Sequence, residues 1–117
     1  VQATAAPFMH SLFYRGTQEG IHETTSLADG LAGEVEANSI TIPLIREYVD
    51  EIILIDEEPI RQGVQLAWQR YQERIEAAAA VALVTALSEQ AFDGPKVVVI
   101  SGGNIDEALH QELVAEA

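Results

Sequence analysis

Apolar and polar positions divide the 117-residue chain into an irregular first third and a strongly periodic remainder. Pro7, Gly16, Gly20, Gly30 and Gly33 punctuate residues 1–33, within which Phe8 to Tyr14 suits a short helix stopped by Arg15-Gly16. Ile42, Leu44, Ile45, Tyr48 and Val49 predict a second short helix, with Thr41 as its cap and Pro43 in its first turn. Ile52 to Ile55 sets four apolar residues between acidic pairs, the pattern of a strand buried on both faces. Asp56 stands where a cap belongs, and Glu57 and Glu58 follow at the positive end of a helix dipole. Ile60, Val64, Ala67, Trp68, Tyr71 and Ile75 then repeat close to every 3.6 residues. Glu76 leads into Ala77 to Leu87, a segment apolar all round that predicts a buried helix. Asp93-Gly94-Pro95 predicts a turn, and Lys96 to Ile100, with Val97, Val98, Val99 and Ile100 unbroken, a second strand. The final helix starts with Asn104 as cap and Glu107 in capping-box position, and carries Ile105, Leu109 and Leu113 as its stripe.

Strand, two helices, strand, turn and helix make a right-handed crossover unit with parallel strands, which places the chain in the α/β class. No internal repeat, low-complexity linker or break in composition interrupts it, so residues 1–117 read as one unit.

Charge narrows the possible partners. Nineteen acidic side chains against six basic ones give a net charge of −13. Phosphate neutralisation needs a basic face, so nucleic acid is excluded as a general partner. No basic amphipathic stretch is present for an anionic membrane surface, and Ala77 to Ala86 is too short to cross a bilayer. The lack of cysteine removes disulfides, thiolate zinc sites and cysteine nucleophiles, and fits a reducing compartment such as the cytoplasm. At 48% hydrophobic residues the chain holds a domain-sized core rather than an acidic disordered tail. It begins at Val1 without an initiator methionine, as a fragment or a processed chain begins.

Candidate chemistry concentrates after the second expected strand. Ligands bind beyond the carboxyl ends of strands in open parallel sheets, where this chain has Ser101-Gly102-Gly103-Asn104. Its glycines admit close backbone approach, Ser101 offers a hydroxyl, and the following helix points free N–H groups outward. The same four residues also serve as ordinary connector chemistry. Glu76 precedes a buried helix, so its carboxylate either faces a cavity or caps the helix start. Asp29-Gly30 reads as a plain turn with a carboxylate. His10, His22 and His110 lack metal-ligand spacing and read as surface residues. No serine has hydrolase-elbow context, and Lys96, the only lysine, reads as a surface end-residue.

Several segments in order resemble a known family. Thr25-Ser26-Leu27-Ala28-Asp29-Gly30-Leu31-Ala32 is similar to the T-I-A-D-G-L-A segment of pyridoxal-phosphate enzymes of the threonine dehydratase and serine racemase type. Thr41-Ile42-Pro43-Leu44-Ile45-Arg46-Glu47-Tyr48-Val49-Asp50-Glu51-Ile52 resembles their T-F-x-x-I-K-x-x-V-D-E-V stretch. Glu73-Arg74-Ile75-Glu76-Ala77-Ala78-Ala79-Ala80 looks like their E-x-x-x-x-E-P/G-A-G-A stretch. Val98-Val99-Ile100-Ser101-Gly102-Gly103-Asn104-Ile105-Asp106 resembles V-L-S-G-G-N-V-D. Ser-Gly-Gly-Asn fits the ammonia-lyase and racemase branch rather than the Ser-Ser-Gly-Gly-Glu-like ending of cysteine synthases.

The resemblance implies the carboxyl-terminal part of the large domain of a fold-type-II, tryptophan-synthase-β-like enzyme. Its cofactor would be pyridoxal 5'-phosphate, its substrate L-threonine, L-serine or a related hydroxyamino acid, and its products a 2-oxo acid and ammonia. It implies Ser101 at the pyridine nitrogen, with Gly102 beside it, Glu76 near the ring and Gly30 at the pocket wall, in a homo-oligomer. Family members that bind a divalent cation carry Glu at the position of Gln2 and Asp near that of Phe8, so no metal site is expected. The stretch from Gly33 to Ser39 also differs from the common pattern, which leaves the substrate open among relatives of threonine and serine. The family's Schiff-base lysine, glycine-rich phosphate loop and small domain lie amino-terminal to the matched segment. The lone 117-residue chain is therefore expected to bind no cofactor covalently and to be inactive. The alternative is a stand-alone small-ligand-binding or interaction module that kept the scaffold without catalysis.

Overall fold

The computed structural model describes residues 1–88 and 93–115 of the chain. A parallel pair, β1 (Gln2–Ala3) and β2 (Leu54–Ile55), aligns Gln2 with Leu54 and Ala3 with Ile55. Gln2 and Thr4 N–H groups donate to the Ile53 and Ile55 carbonyls, each at 2.9 Å. Between the strands lie α1 (Phe8–Arg15), a single 3-10 turn (Asp29–Leu31) and α2 (Thr41–Tyr48). After β2 come α3 (Glu57–Tyr71), α4 (Ala77–Leu87) and α5 (Glu107–Ala115), which completes an α/β arrangement with a small parallel sheet.

The core sits between α3 and α4. Ile60, Val64 and Ala67 on α3 meet Ala77, Ala79, Ala80 and Val81 on α4, with Ala3, Ala28, Ile55 and Leu113 closing the cluster. Gly63 permits that approach: a Cβ there would lie 2.7 Å from Val84 Cγ1 and 3.0 Å from the Ala80 Cβ. Left-handed Gln72 (φ 56°) ends α3, its N–H returning to the Trp68 carbonyl at 3.0 Å while Glu73 donates to Ala67 at 3.1 Å.

Several sequence expectations need correction. Lys96 to Ile100 forms no strand. Val97 is 96% and Val99 71% exposed, and a cavity of about 240 Å³ separates residues 96–99 from Val1 and Ile53. A run of β-branched residues becomes a strand only where a neighbouring strand supplies N–H and C=O partners. The parallel pair therefore joins β2 to residues 2–3 rather than to 96–100, and only Leu54–Ile55 of the expected 52–55 strand enters it. Ile52 and Ile55 are buried while Ile53 and Leu54 are half-buried, so β2 is not enclosed on both faces. The all-apolar α4 is buried through its first turns, but Leu87 at its end is exposed.

The last helix is capped by Asp106 rather than Asn104, because the Asp106 Oδ1 accepts from the N–H groups of Ala108 at 2.9 Å and Leu109 at 3.0 Å. That shifts the start two residues on and makes Glu107 the first helical residue instead of a capping-box partner. Thr41 is already helical; Ser39 Oγ stands before it and accepts from the Thr41 N–H at 3.3 Å. Asp56 occupies the cap position of α3 through its backbone alone. His110 is no surface residue: it is buried, with its ring edge-on to Trp68 at 5.3 Å.

Candidate functional site

Three segments meet at the first turn of α4. Glu76 is extended (φ −81°, ψ 160°) and is the cap residue by position; its carbonyl accepts from Ala79 and Ala80, each at 3.1 Å. Its side chain makes no cap bond, so the carboxylate is free to point elsewhere. It points at Gly102, where an added Cβ would overlap the Glu76 carboxylate. The Glu76 N–H donates to the Gly102 carbonyl at 3.2 Å, so backbone and side chain converge on the same glycine. One residue on, a Cβ at Gly103 would stand 3.0 Å from the Arg74 carbonyl. Arg74 Nη2 donates to the Ile105 carbonyl at 2.7 Å.

Ser101 precedes this contact, exposed, and its hydroxyl has no protein partner among the described residues. Gly30 approaches from the other side: a Cβ there would lie 3.3 Å from the Ala78 Cβ, in the same turn of α4. Its loop is held locally, with Ser26 Oγ accepting from the Ala28 N–H at 3.0 Å and Glu57 Oε2 from the Leu27 N–H at 2.8 Å. The structure thus brings Glu76 and Gly102 into contact and sets Gly30 against the helical turn they begin. Gly30 also opens on a cavity of about 560 Å³ with Met9, Thr41 and Ile45, which Ser101, Gly102 and Glu76 do not line.

Two residues with structural work here were not singled out from the sequence. Glu57 reads as dipole chemistry in sequence yet anchors a loop thirty residues away in the chain. Arg74 reaches thirty-one residues forward to Ile105, a separation with no local signature. The sole lysine lies elsewhere, with Lys96 Nζ donating to the Ala86 carbonyl at 3.1 Å. Ala86 belongs to the last turn of α4, about 15 Å along the helix from Glu76.

Residues 1–103 match the family described as pyridoxal-phosphate dependent enzyme. The chain belongs to that family. An L-threonine ammonia-lyase of Geobacter sulfurreducens is 37% identical over 108 residues, covering 91% of this chain and 27% of that protein. A serine racemase of Rattus norvegicus is 35% identical over 91 residues, covering 74% of this chain and 26% of the racemase. In fold, the chain is similar to the structure of maize serine racemase, with a TM-score of 0.80 at 23% identity over 98% of this chain and 36% of that one. The chain spans about a quarter of the length of the curated relatives it matches.

The residues at the first turn of α4 fit the cofactor of this pyridoxal-phosphate dependent family. An unpartnered hydroxyl at Ser101 suits a ring nitrogen, which needs one donor or acceptor. At Gly102 the missing Cβ leaves the room that the Glu76 carboxylate occupies, which lets that carboxylate lie against the backbone next to Ser101.

Proposed function

We propose that this chain is part of a lyase that deaminates L-threonine, L-serine or a related hydroxyamino acid to a 2-oxo acid and ammonia. The observation that carries the reading is the seating of Glu76 against Gly102, one residue from an exposed, unpartnered serine hydroxyl. The similarity to an L-threonine ammonia-lyase across 91% of the chain supports it.

Bound pyridoxal phosphate supplies a conjugated ring that withdraws electrons from the α-carbon of an amino acid. Ser101 would hold the ring nitrogen through its hydroxyl. As a neutral partner, that hydroxyl would leave the nitrogen less positive than a carboxylate would and so temper the electron withdrawal the cofactor supplies. Glu76 holds Gly102, and with it the backbone that presents Ser101, against the start of α4. Gly30 keeps the facing wall close, with no side chain between it and Ala78.

The lysine that would bind the cofactor covalently belongs to another part of the protein. Lys96 is committed to the Ala86 carbonyl at the opposite end of α4 from Glu76. The 117 residues alone are therefore inactive in this reading, and cofactor and substrate bind only in the whole protein. Ser101→Ala in the full-length protein is expected to loosen the cofactor and lower turnover, read by cofactor titration and 2-oxo acid release. Wild-type affinity together with wild-type turnover would overturn the role given to Ser101.

A further inference from the structure

The turn that presents Ser101 must be held in place by something, and its own hydrogen bonds are few. Within it, the Ile105 N–H returns to the Gly103 carbonyl at 3.0 Å. Ile105 also packs against the core, and the remaining hydrogen bonds that fix the turn come from residues 74–76 among the described residues. The Gly102 carbonyl accepts from the Glu76 N–H at 3.2 Å, and Gly103 packs on the Arg74 carbonyl with room for no side chain. Among the described residues, the side-chain bond across the junction is Arg74 Nη2 to the Ile105 carbonyl, at 2.7 Å. Residues 74–76 and 102–105 are thus stitched at three places, and the stitch at the carboxyl end of the turn depends on one guanidinium.

We infer that Arg74 is a positioning residue for the Ser101 turn: by holding the Ile105 carbonyl it sets where the Ser101 hydroxyl stands relative to the cofactor ring. The inference rests on the role proposed above for Ser101. Arg74 touches neither Ser101 nor, in this reading, the cofactor; it acts through Ile105, Gly103 and Gly102. Its bond is charge-assisted and short, which makes it stronger than a neutral one, and its exposure limits what it adds to global stability. A device of that kind changes the geometry of the site more than the stability of the fold. Since one N–H meets one carbonyl, the planar fork of arginine is not needed; a lysine ammonium supplies a donor of nearly the same reach, and a glutamine amide a shorter one that a small shift of the turn can meet.

The test uses the full-length protein and three variants at this position, Arg74→Ala, Arg74→Lys and Arg74→Gln, with Ser101→Ala alongside. The readouts are the absorption and fluorescence of the bound cofactor, its retention on dialysis and the melting temperature of the cofactor-free form. Arg74→Ala is expected to shift the cofactor spectrum in the same direction as Ser101→Ala and to weaken retention about three- to tenfold. The cofactor-free melting temperature should stay close to wild type. Arg74→Lys or Arg74→Gln is expected to recover most of the wild-type spectrum and retention. A wild-type spectrum in Arg74→Ala, where Ser101→Ala is shifted, would overturn the inference and leave the Ser101 reading standing. So would a shift that neither donor-bearing variant reverses. A wild-type spectrum in Ser101→Ala overturns the Ser101 reading and the inference with it. Should Arg74→Ala not fold, Arg74→Met, which keeps the aliphatic stem and lacks the donor, takes its place: a wild-type spectrum in Arg74→Met overturns the inference, and a shift that Arg74→Lys reverses supports it.

Discussion

At the scale of single residues, Gly102 is the position where sequence and geometry agree most closely. It is not among the positive-φ glycines, so its backbone is one any residue adopts, and the demand for glycine there is steric. The obstructing atoms belong to the end of a flexible side chain, which can swing away. Gly102→Ala is therefore expected to cost only about 1 kcal/mol of stability while displacing the Glu76 carboxylate and loosening the cofactor in the full-length protein. A double-mutant cycle with Glu76→Ala checks the cause. Thermal melts should show the two changes coupled, since the second removes the group the first collides with. Additive effects would mean that the carboxylate is not what Gly102 accommodates. A second expectation concerns Gln2 and Phe8. The Gln2 Oε1 accepts from the His10 N–H at 2.8 Å, and Phe8 is 3% exposed, so a neutral amide and a packed ring stand at or near the two places where the family resemblance would put acids in a cation-binding member. A bound cation at 100 times its dissociation constant would add about 2.7 kcal/mol. Magnesium or calcium at millimolar level should leave the melting temperature of this protein unchanged, and a clear rise would refute the assignment. Motif and turn chemistry coincide at Ser101, Gly102 and Gly30, so the sequence singles them out, and the structure brings Gly102 against Glu76 and Gly30 against Ala78. Arg74 and Glu57 were not legible in the sequence, since their partners lie thirty residues or more away and neither bond leaves a local pattern.

At the scale of elements, helices were read well and strand 96–100 badly, and the reason is the same in both cases. A helix satisfies its backbone within its own segment, so period and punctuation place α1 and α4 closely, whereas the α3 stripe, expected to run to Ile75, stops at Tyr71 because Gln72 turns left-handed. A strand satisfies its backbone on a neighbour, and the valines of 97–99 carry no information about whether that neighbour is present. Helix ends are the weaker part of the helical reading. Asn104 and Asp106 are both good caps, and the sequence favoured the first; the structure uses Asp106, whose carboxylate collects two N–H groups. Asp106→Ala is expected to lower stability by about 1 kcal/mol and Asn104→Ala by a few tenths at most. Melting curves of the two variants under identical conditions compare them directly. Equal losses, or the reverse order, would return the cap to Asn104.

At the scale of the whole molecule, the amount of exposed surface is the informative quantity. The chain leaves 7570 Å² accessible, where a folded monomer of its mass leaves roughly 6,200 Å². Its Cα radius of gyration is 14.6 Å, against roughly 13.4 Å for a compact domain of this length. Large apolar side chains contribute to the exposed surface. Val97, Val99, Ile40 and Tyr48 are each more than 70% exposed, and α2 buries no residue at all. Among the described residues the backbone of 96–100 finds no partner, which makes it a template for another extended segment. Opposing association is the net charge of −13, whose self-repulsion weakens as salt shortens the Debye length from about 10 Å at 0.1 M. An isolated polypeptide of residues 1–117 is therefore expected to self-associate, and to do so more strongly as salt rises, because screening removes the repulsion and leaves the apolar attraction in place. Sedimentation velocity at tens of micromolar, in low and high salt, reads this directly: the mean mass should climb with both protein and salt concentration. Replacing Val97 and Val99 with Lys should reduce the association, since one change removes apolar area and blunts the edge together. A monomer that stays monomeric in high salt would mean the exposed valines need no cover, and would favour the self-sufficient binding module over a part of a larger enzyme.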